Sequence, residues 1–321
     1  MTRTFATLAL VVLVLTASVV RAQAPAPRPL QITLLGTGNP RPSLERFGPS
    51  ILVEAGGQRL LIDAGRGAAQ RLFQIGQRDA LTGLDAVLLT HLHSDHTVGI
   101  PDVWLTPWIF GRARALPLLG PAGTADMARH LTQAYAWDIA TRQKDEGFPA
   151  DGVRLDGRDV TPGVVWNRDG VTVTAFAVDH GAFATPAFGY RIAAGGRSVV
   201  VSGDMRFDER FVDHARGADV VITEVISPEV EARRAQVRDP KALERILARH
   251  ISPEQAGTLF SRIKPRLAVF THVVPSPATA EDLLPPARTT YGGPLAAGYD
   301  LMTIVVGNTV ETFTRRTLSD Q

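Results

Sequence analysis

The stretch His91-Leu92-His93-Ser94-Asp95-His96 follows directly on the apolar run Leu84–Thr90, which predicts a buried strand. Four of its six side chains are imidazoles or carboxylates, the ligand types that hold Zn, Mn or Fe in proteins. Because side chains alternate along an extended backbone, the first two histidines point to the same side. A turn after Ser94 then aims the remaining aspartate and histidine at a second point nearby. The alternative is an ordinary polar surface loop, but three of the chain's eight histidines fall here, which favours a loop that serves two metal ions.

Three further candidate ligands each lie just after an apolar run that predicts a strand; they are His180, Asp204 and His272. In α/β proteins the carboxyl ends of strands form a rim on which functional side chains collect. A histidine or aspartate at one strand end is, taken alone, more often a surface hydrogen-bonding residue. Their shared placement and the first motif favour a common site instead. A carboxylate can bridge two cations through its two oxygens, and Asp204 is the candidate for that role.

Apolar runs of strand length alternate with segments of helical periodicity, and this predicts an α/β fold built in layers. Helices are expected over Ala125–Trp137, Pro240–Arg249 and Pro253–Ile263. The segment 106–165 is the least regular part of the pattern. A composition of 45% apolar and 21% charged residues in 321 excludes disordered, collagen-like and coiled-coil chains. Since no shift in composition divides it, we expect residues 31–317 to form one domain.

The N-terminal segment has the pattern of a secretory signal peptide over residues 1–24. Arg3 precedes the apolar run Phe5–Val20, and Ala22-Gln23-Ala24 supplies a small-x-small cleavage site after Ala22 or Ala24. The run is shorter than the roughly 20 residues that span a bilayer, although an uncleaved anchor is the alternative. Residues 25–30 read as a proline-rich linker. The sequence therefore predicts a periplasmic or secreted protein, with no stable membrane insertion after cleavage.

Charge and cysteine content exclude several kinds of site. The chain has 34 basic and 32 acidic side chains, so no bulk positive field attracts nucleic acid. It contains no cysteine, and a thiolate is therefore available neither as a metal ligand nor as a nucleophile. Any metal ion must be held by His, Asp or Glu.

The motifs together resemble the metallo-β-lactamase superfamily, in particular the branch of ribonuclease Z and the zinc arylsulfatase-like hydrolases. The resemblance extends from Leu34-Leu35-Gly36-Thr37-Gly38 to Thr271-His272, which is nearly the whole chain beyond the linker. It implies a four-layer αβ/βα sandwich that carries two metal ions at its rim. By position it implies one ion on His91, His93 and His180, a second on Asp95, His96 and His272, Asp204 between them, and Asp63 as a buried support.

The resemblance also implies the chemistry. Two divalent ions, Zn²⁺ with Mn²⁺ or Fe²⁺ as alternatives, would turn a bridging water into a hydroxide that attacks an ester, and Asp95 would take part in catalysis. The chain reads Ile222-Thr223-Glu224-Val225 where ribonuclease Z-like enzymes have a His-Glu-Ala-Thr segment, so the glutamate is kept. His250 matches a later histidine of that branch. We therefore expect a Glu224–His250 pair as proton relay and anion contact; the alternative is that His250 caps a helix C-terminus.

The expected substrates follow from one difference between this chain and ribonuclease Z. Ribonuclease Z has a long tRNA-gripping arm where this chain has only residues 193–201. With the near-neutral charge and the expected export, this predicts small anionic esters, phosphodiesters or aryl sulfates, as substrates and no nucleic-acid partner. Hydrolysis of a lactone or a β-lactam is an alternative, of which Asp204 disfavours the β-lactam. A metal-binding protein without turnover is a second alternative, which the full ligand set disfavours. A homodimer is left open.

The remaining polar and aromatic residues are interpreted more simply. The aromatic stretch Trp104–Phe110 follows the metal loop, and we expect core packing rather than a wall of the site. Arg66 and Arg191 are candidates for contacting a phosphate or sulfate. His130 and His214 are expected to be structural or solvent-facing.

Overall fold

The computed structural model describes residues 29–316 except 183, 185 and 236–239, so the expected signal peptide and residues 25–28 of the linker lie outside the described residues. The strands, in chain order, are β1 (Leu30–Gly36), β2 (Ser50–Ala55), β3 (Gln58–Ile62), β4 (Ala86–Leu88), β5 (Leu116–Gly120), β6 (Leu155–Asp159), β7 (Gly163–Arg168), β8 (Val171–Val178), β9 (Ala187–Ala194), β10 (Arg197–Val201), β11 (Val220–Ile226), β12 (Leu267–Val274), β13 (Leu295–Ala297), β14 (Met302–Val306) and β15 (Val310–Thr314). The α-helices are α1 (Ala68–Thr82), α2 (Ser94–Thr97), α3 (Ile100–Ile109), α4 (Thr124–Ala134), α5 (Ala136–Asp145), α6 (Phe211–Ala215), α7 (Pro228–Ala235), α8 (Pro240–Leu247), α9 (Pro253–Ile263) and α10 (Ala280–Arg288).

The strands form two mixed sheets, in the orders β15-β14-β1-β2-β3-β4-β5-β6 and β13-β12-β11-β10-β9-β8-β7. Strands β10 to β13 are parallel, and β8 has the same direction as β10 because both are antiparallel to β9. The carboxyl ends of β8, β10 and β12 therefore lie at one edge of the second sheet. The backbone N–H of Phe188, in β9, donates to the carbonyl of Thr90 at 2.8 Å, which joins the loop after β4 to the same edge.

Three apolar cores separate four layers. Leu60 and Ile62 of β3 face the second sheet and pack in the central core with Tyr190 and Val199, whereas Leu61 between them packs in the core shared with α1 and α3. This division follows from the alternation of side chains along a strand. A third core, with Leu259 and residues of α6 and α10, covers the outer face of the second sheet. The predicted αβ/βα sandwich is confirmed.

Several element boundaries differ from the expectations. The predicted helix Ala125–Trp137 is two helices, α4 and α5, which meet at Tyr135. The run Leu84–Thr90 is paired as a strand over Ala86–Leu88 only, because the Thr90 N–H donates to the Asp63 carboxylate at 2.8 Å instead of to a neighbouring strand. The segment 106–165 is more regular than expected, since it holds β5, β6, the start of β7 and both of these helices.

The aromatic stretch Trp104–Phe110 was predicted to be core, which holds for its tryptophans but not for Phe110, which is exposed. Trp104 and Trp108 are fully buried, and their indole N–H groups donate to the carbonyls of Val153 and Pro149. A buried indole needs such a partner because an unpaired donor would be costly. Within the described part of the chain, no helix has the length and apolar character needed to cross a bilayer.

Candidate metal centre

The loop after β4 is organised by Asp63, which follows β3 with a backbone φ of 58°. Its carboxylate accepts hydrogen bonds from the N–H and the hydroxyl of Thr90, each at 2.8 Å, and lies 2.8 Å from Nδ1 of His96. Residues other than glycine are uncommon at positive φ and persist where the surrounding structure holds them. Because Asp63 takes up Nδ1 of His96, Nε2 of that ring is directed away from it into the centre of the cluster.

A single helical turn then aims the rest of the motif. Helix α2 begins at Ser94, and the carbonyl of His93 accepts hydrogen bonds from the N–H of His96 and the hydroxyl of Thr97. The turn that the sequence predicted after Ser94 is therefore present. It leaves His91 and His93 on one side, with His91 Nε2 2.9 Å from His93 Nδ1, and carries Asp95 and His96 to the other.

The second sheet supplies three more side chains at its carboxyl edge. Nδ1 of His180 lies 3.0 Å from the carbonyl oxygen of Arg249, which leaves Nε2 to face His93. His272 lies at an irregularity in the pairing of β11 with β12 and has a φ of 41°. Such bulges re-aim a side chain, and here Nε2 of His272 comes to 3.1 Å from Oδ2 of Asp95.

Asp204 lies at the centre of these groups and is 3% exposed. Its carboxylate oxygens lie between 3.4 and 3.9 Å from the Nε2 atoms of four histidines, namely His91, His96, His180 and His272. These separations are longer than ordinary hydrogen bonds, and a cation placed among the groups would contact both kinds of atom.

Two sets of donor atoms match the two ions that the resemblance implies. His91, His93 and His180 offer atoms within 4.8 Å of one another, and so do Asp95, His96 and His272. Nε2 of His96 and Oδ1 of Asp204 are buried and have no hydrogen-bond partner among the described residues. Buried polar atoms without partners are costly, and a divalent cation would satisfy both. The residues therefore fit the expected ions, and their role as ligands stays a prediction.

The ionisation of the cluster suits cation binding. Burial, and after it the neighbouring His96, lowers the pKa of His91 well below its usual value, so this imidazole stays neutral. Burial alone would raise the pKa of Asp204, but the charges of His272 and His96 hold it well below the usual range. Burial also lowers the pKa of His96, yet the carboxylates of Asp204 and Asp63 outweigh it and raise that pKa well above normal. A cation binding at His96 would displace this proton.

Glu224 and His250 form a pair beside the cluster. Glu224 is 1% exposed, and its Oε2 lies 3.0 Å from Nδ1 of His250. Burial lowers the pKa of His250, but the charge and hydrogen bond of Glu224 outweigh it and raise the pKa to about 9. The His250 ring lies 5.3 Å from that of His180 and 5.9 Å from that of His272. The structure thus brings the expected pair together, and His250 contacts a carboxylate rather than the carbonyls at the end of α8.

The two arginines proposed as anion contacts lie elsewhere. The Arg191 guanidinium donates to the carbonyls of His214 and Arg216 and to the hydroxyl of Ser198. Arg66 is exposed beside a separate cavity of about 390 Å³. His214 stacks on Phe176 with ring centroids 4.4 Å apart, which agrees with its predicted structural role.

Sequence reasoning missed the basic residues that do surround the site. A cavity of about 640 Å³ opens over the cluster, and its walls include Arg41, Arg234 and Arg249. Two signals in the sequence could have found them, since Arg249 directly precedes His250 and Arg41 comes three residues after Gly38. Both adjacencies were available without a structure.

A family model described as the β-lactamase superfamily domain matches residues 58–273 of this chain. The chain belongs to the metallo-β-lactamase superfamily. Two relatives are each named ribonuclease Z. That of Mycobacterium bovis is 37% identical over 282 residues, covering 86% of this chain and 98% of the relative, and that of Mycolicibacterium gilvum is 36% identical over 284 residues, covering 86% and 96%. As a member of this superfamily the chain is a metal-dependent hydrolase that acts on ester bonds, so the predicted family and enzyme class are confirmed.

Solved structures of the metallo-β-lactamase superfamily share the fold. The metallo-β-lactamase fold protein YhfI of Bacillus subtilis superposes with a TM-score of 0.67 at 20% identity, covering 87% of this chain and 100% of YhfI. The short form of human tRNase Z gives a TM-score of 0.64 at 18% identity, covering 86% of this chain and 99% of the human protein. These likenesses establish the sandwich architecture.

The relatives contradict the expected partners. Both are named as ribonucleases, so the expectations of a small-molecule substrate and of no nucleic-acid partner are wrong. Those expectations rested on the missing arm and on the near-neutral charge. The hairpin of β9 and β10 is indeed short, but the Mycobacterium bovis relative aligns over 98% of its own length with no room for a long insertion. A relative can therefore be named a ribonuclease without a long arm. The net charge of the whole chain was also a poor guide, because it does not show the arginines that line the cavity.

Proposed function

We propose that this chain is a binuclear metal-dependent phosphodiesterase that hydrolyses RNA. The observation that carries the proposal is the convergence of seven ligand-type side chains, Asp204 and six others, at a cavity with arginines in its walls. The names of the relatives supply the substrate class, and the cavity supplies positive charge where a polyanion would enter.

The seven side chains have distinct roles in this proposal. One ion would be held by His91, His93 and His180, and the other by Asp95, His96 and His272. Asp204 would lie between the two sets and contribute to both. Zn²⁺ is the proposed ion, with Mn²⁺ and Fe²⁺ as alternatives, because imidazole and carboxylate groups accept all three. When bound, the ions supply an activated water at neutral pH and offset charge on the phosphoryl oxygens.

The Glu224–His250 pair supplies the proton in this proposal. Hydrolysis joins a water oxygen to phosphorus and breaks the bond from phosphorus to the leaving ribose oxygen, which then needs a proton. With a pKa of about 9, His250 carries that proton at neutral pH. Glu224 orients the ring through the 3.0 Å contact at Nδ1, so Nε2 is the atom that donates.

We also propose that the protein is exported by a signal peptide over residues 1–24. The basic start, short apolar run and small-x-small site support this. Expression of the full chain, followed by mass spectrometry of the protein in the periplasm or medium, is expected to find an N-terminus just after Ala22 or Ala24. Recovery of the uncleaved chain in the membrane fraction would overturn it.

The proposed activity is tested with purified protein loaded with Zn²⁺ or Mn²⁺. Initial rates are measured on bis(p-nitrophenyl) phosphate, on a short fluorescent RNA, on a precursor tRNA and on p-nitrophenyl sulfate. We expect turnover of the phosphodiester and RNA substrates, reduced at least a hundredfold in Asp204→Ala, while the exposed-surface control Arg129→Gln stays near the wild type. Hydrolysis of the sulfate alone, or of none of the four by protein that binds two ions, would overturn the proposal.

A further inference from the structure

We propose that Arg41 and Arg249 bind the phosphate group adjacent to the one that is cleaved. The site would then favour substrates with at least two successive phosphate groups. This inference rests on the proposed function and names a feature of its substrate. It is carried by the position of the two guanidinium groups in the walls of the cavity and by their lack of partners.

Arg249 is fixed next to the candidate ligands by its own backbone. Its carbonyl oxygen lies 3.0 Å from Nδ1 of His180, and the next residue is His250. Its side chain is half-buried and lines the cavity over the cluster. Arg249 therefore stands beside the reacting centre and outside the sets of ligand atoms.

Arg41 lies in a rigid loop that lines the same cavity. It lies between Pro40 and Pro42, and proline restricts both its own φ and the residue before it. The side chain of Asn39 closes the loop, since Oδ1 accepts from the Arg41 N–H at 3.0 Å and Nδ2 donates to the Val273 carbonyl at 2.8 Å. Val273 directly follows the candidate ligand His272, so this loop is tied to the metal centre.

The two arginines differ from the third one in the cavity. Arg234 lies 3.6 Å from Oε2 of the buried Glu231, which offsets its charge. In the part of the chain that the structure describes, the guanidinium groups of Arg41 and Arg249 have neither a hydrogen bond nor an ion pair. Unpaired guanidinium groups are suited to phosphate because they present planar pairs of N–H donors.

The size of the cavity argues for more than one phosphate. Its volume of about 640 Å³ lies within the 300–1,000 Å³ typical of ligand sites, and the reacting phosphodiester group fills only a small part of it. Only three of the 34 basic residues are lysine, so the use of arginine at these positions carries no weight by itself. The placement of two unpaired charges beyond the reacting centre carries the inference.

The test compares three dinucleotides that share one scissile bond: UpU, pUpU with an added 5′-phosphate, and UpUp with an added 3′-phosphate. In the wild type, we expect one of the phosphorylated forms to have a KM about ten- to a hundredfold below that of UpU. Arg249→Gln and Arg41→Gln are expected to remove most of this gain while leaving the KM for UpU within about twofold. Arg249→Lys should retain part of the gain, and Arg129→Gln all of it.

Several results would overturn the inference. It fails if neither phosphorylated form gains over UpU in the wild type. It also fails if Arg249→Gln and Arg41→Gln impair all three substrates equally, because the arginines would then act on the reacting phosphate or on His180. Metal content and the thermal midpoint of each variant identify a loss of fold or of ions.

Binding measurements separate this inference from the proposed function. Calorimetric titration compares uridine 5′-monophosphate with uridine 3′,5′-bisphosphate, and neither needs to be hydrolysed. We expect the wild type to bind the bisphosphate about tenfold more tightly than the monophosphate. Arg249→Gln is expected to bind the two nucleotides with equal affinity. Absent turnover of UpU and bis(p-nitrophenyl) phosphate would overturn the proposed function alone, whereas equal binding of both nucleotides by the wild type would overturn the second phosphate site alone.

Discussion

Oε1 of Glu224 accepts hydrogen bonds from the backbone N–H groups of Met205 and Ile251, which leaves Oε2 to face His250. A buried carboxylate is stable only when its oxygens are satisfied in this way. Folding raises the pKa of His250 from about 6.5 to about 9. The stability that the pair contributes is therefore complete below pH ~6.5 and lost as the pH rises through 9. Bound divalent cations would move this loss to lower pH by repelling the imidazolium.

The proposed proton donor can be tested separately from the proposed metal ions by the choice of leaving group. His250→Gln and Glu224→Gln are expected to lower kcat on UpU about a hundredfold, because its alkoxide must be protonated to leave. On bis(p-nitrophenyl) phosphate the loss should stay below about tenfold, since nitrophenolate leaves without a proton. The basic limb of kcat on UpU, expected at or below pH 9 in the wild type, should disappear in His250→Gln. Equal losses on both substrates would show that the pair has another role.

Asp63 is expected to control affinity for metal through His96. In Asp63→Asn the amide can still accept from the Thr90 N–H but no longer offers a carboxylate to Nδ1 of His96. Metal affinity should fall about ten- to a hundredfold, as is usual when such a supporting carboxylate is lost. Competition with a chromophoric chelator measures this. Asp85→Asn is the matched control, because Asp85 lies before β4 and the loop with the candidate ligands follows it. Equal metal affinities in the two variants would contradict the prediction.

The sequence was most informative about which single residues to consider for this site. The seven ligand candidates could be found because each type of side chain is chemically distinctive and each follows an apolar run. For Arg41 and Arg249 the sequence offers only their closeness to Gly38 and His250, a weaker signal because arginine is abundant in this chain and most copies are on the surface. Only the three-dimensional course of the loop at 39–42 decides that one of them faces the cavity.

Helix α9 begins with a capping box at Ser252, whose hydroxyl accepts from the Gln255 N–H while the Gln255 side chain accepts from the Ser252 N–H. The helix packs against β11, and its cap Ser252 lies two residues after His250. Its start was predictable to the residue from the serine, the proline at the next position and the glutamine. The break between α4 and α5 was not, because neither glycine nor proline marks it and Tyr135 continues the apolar periodicity.

The cap of α9 is expected to contribute about 1 kcal/mol to the free energy of unfolding. Ser252→Ala removes the acceptor for the Gln255 N–H and should lower the urea midpoint accordingly. Ser261→Ala in the same helix is the control, since that hydroxyl donates only to the Thr258 carbonyl within the helix. Chemical denaturation of both variants gives the comparison. Similar midpoints would mean that water replaces the cap without loss.

Across the whole molecule, the candidate ligands come from both sheets. His91, His93, Asp95 and His96 follow β4 of the first sheet, and the remaining three follow or lie in strands of the second. The alternation of strands and helices predicted the layers of the fold. The order of the strands within each sheet was not predictable from that alternation, because it depends on pairings between residues more than 200 positions apart.

Because the ligand candidates span both sheets, metal removal is expected to loosen the whole molecule. At a free metal concentration a hundredfold above Kd, one bound ion stabilises the folded state by about 2.7 kcal/mol. For a chain of this size that corresponds to roughly 5–10 °C in the thermal midpoint. Calorimetry with and without a chelator measures the shift, and Asp204→Ala should show little of it. An equal shift in wild type and variant would place the metal elsewhere.

The last hairpin of the chain has a consequence for biosynthesis. Strand β14 pairs with β1, the first strand of the described chain, and β15 pairs with β14 at the edge of the first sheet. A ribosome releases the N-terminal part first, so β1 lacks its neighbour β14 until residue 306 has emerged. An unpaired strand edge is a template for aggregation. Nascent chains of this protein are therefore expected to bind a chaperone until translation ends. Chains stalled at residue 300 should bind chaperones more than chains stalled after the full sequence has emerged.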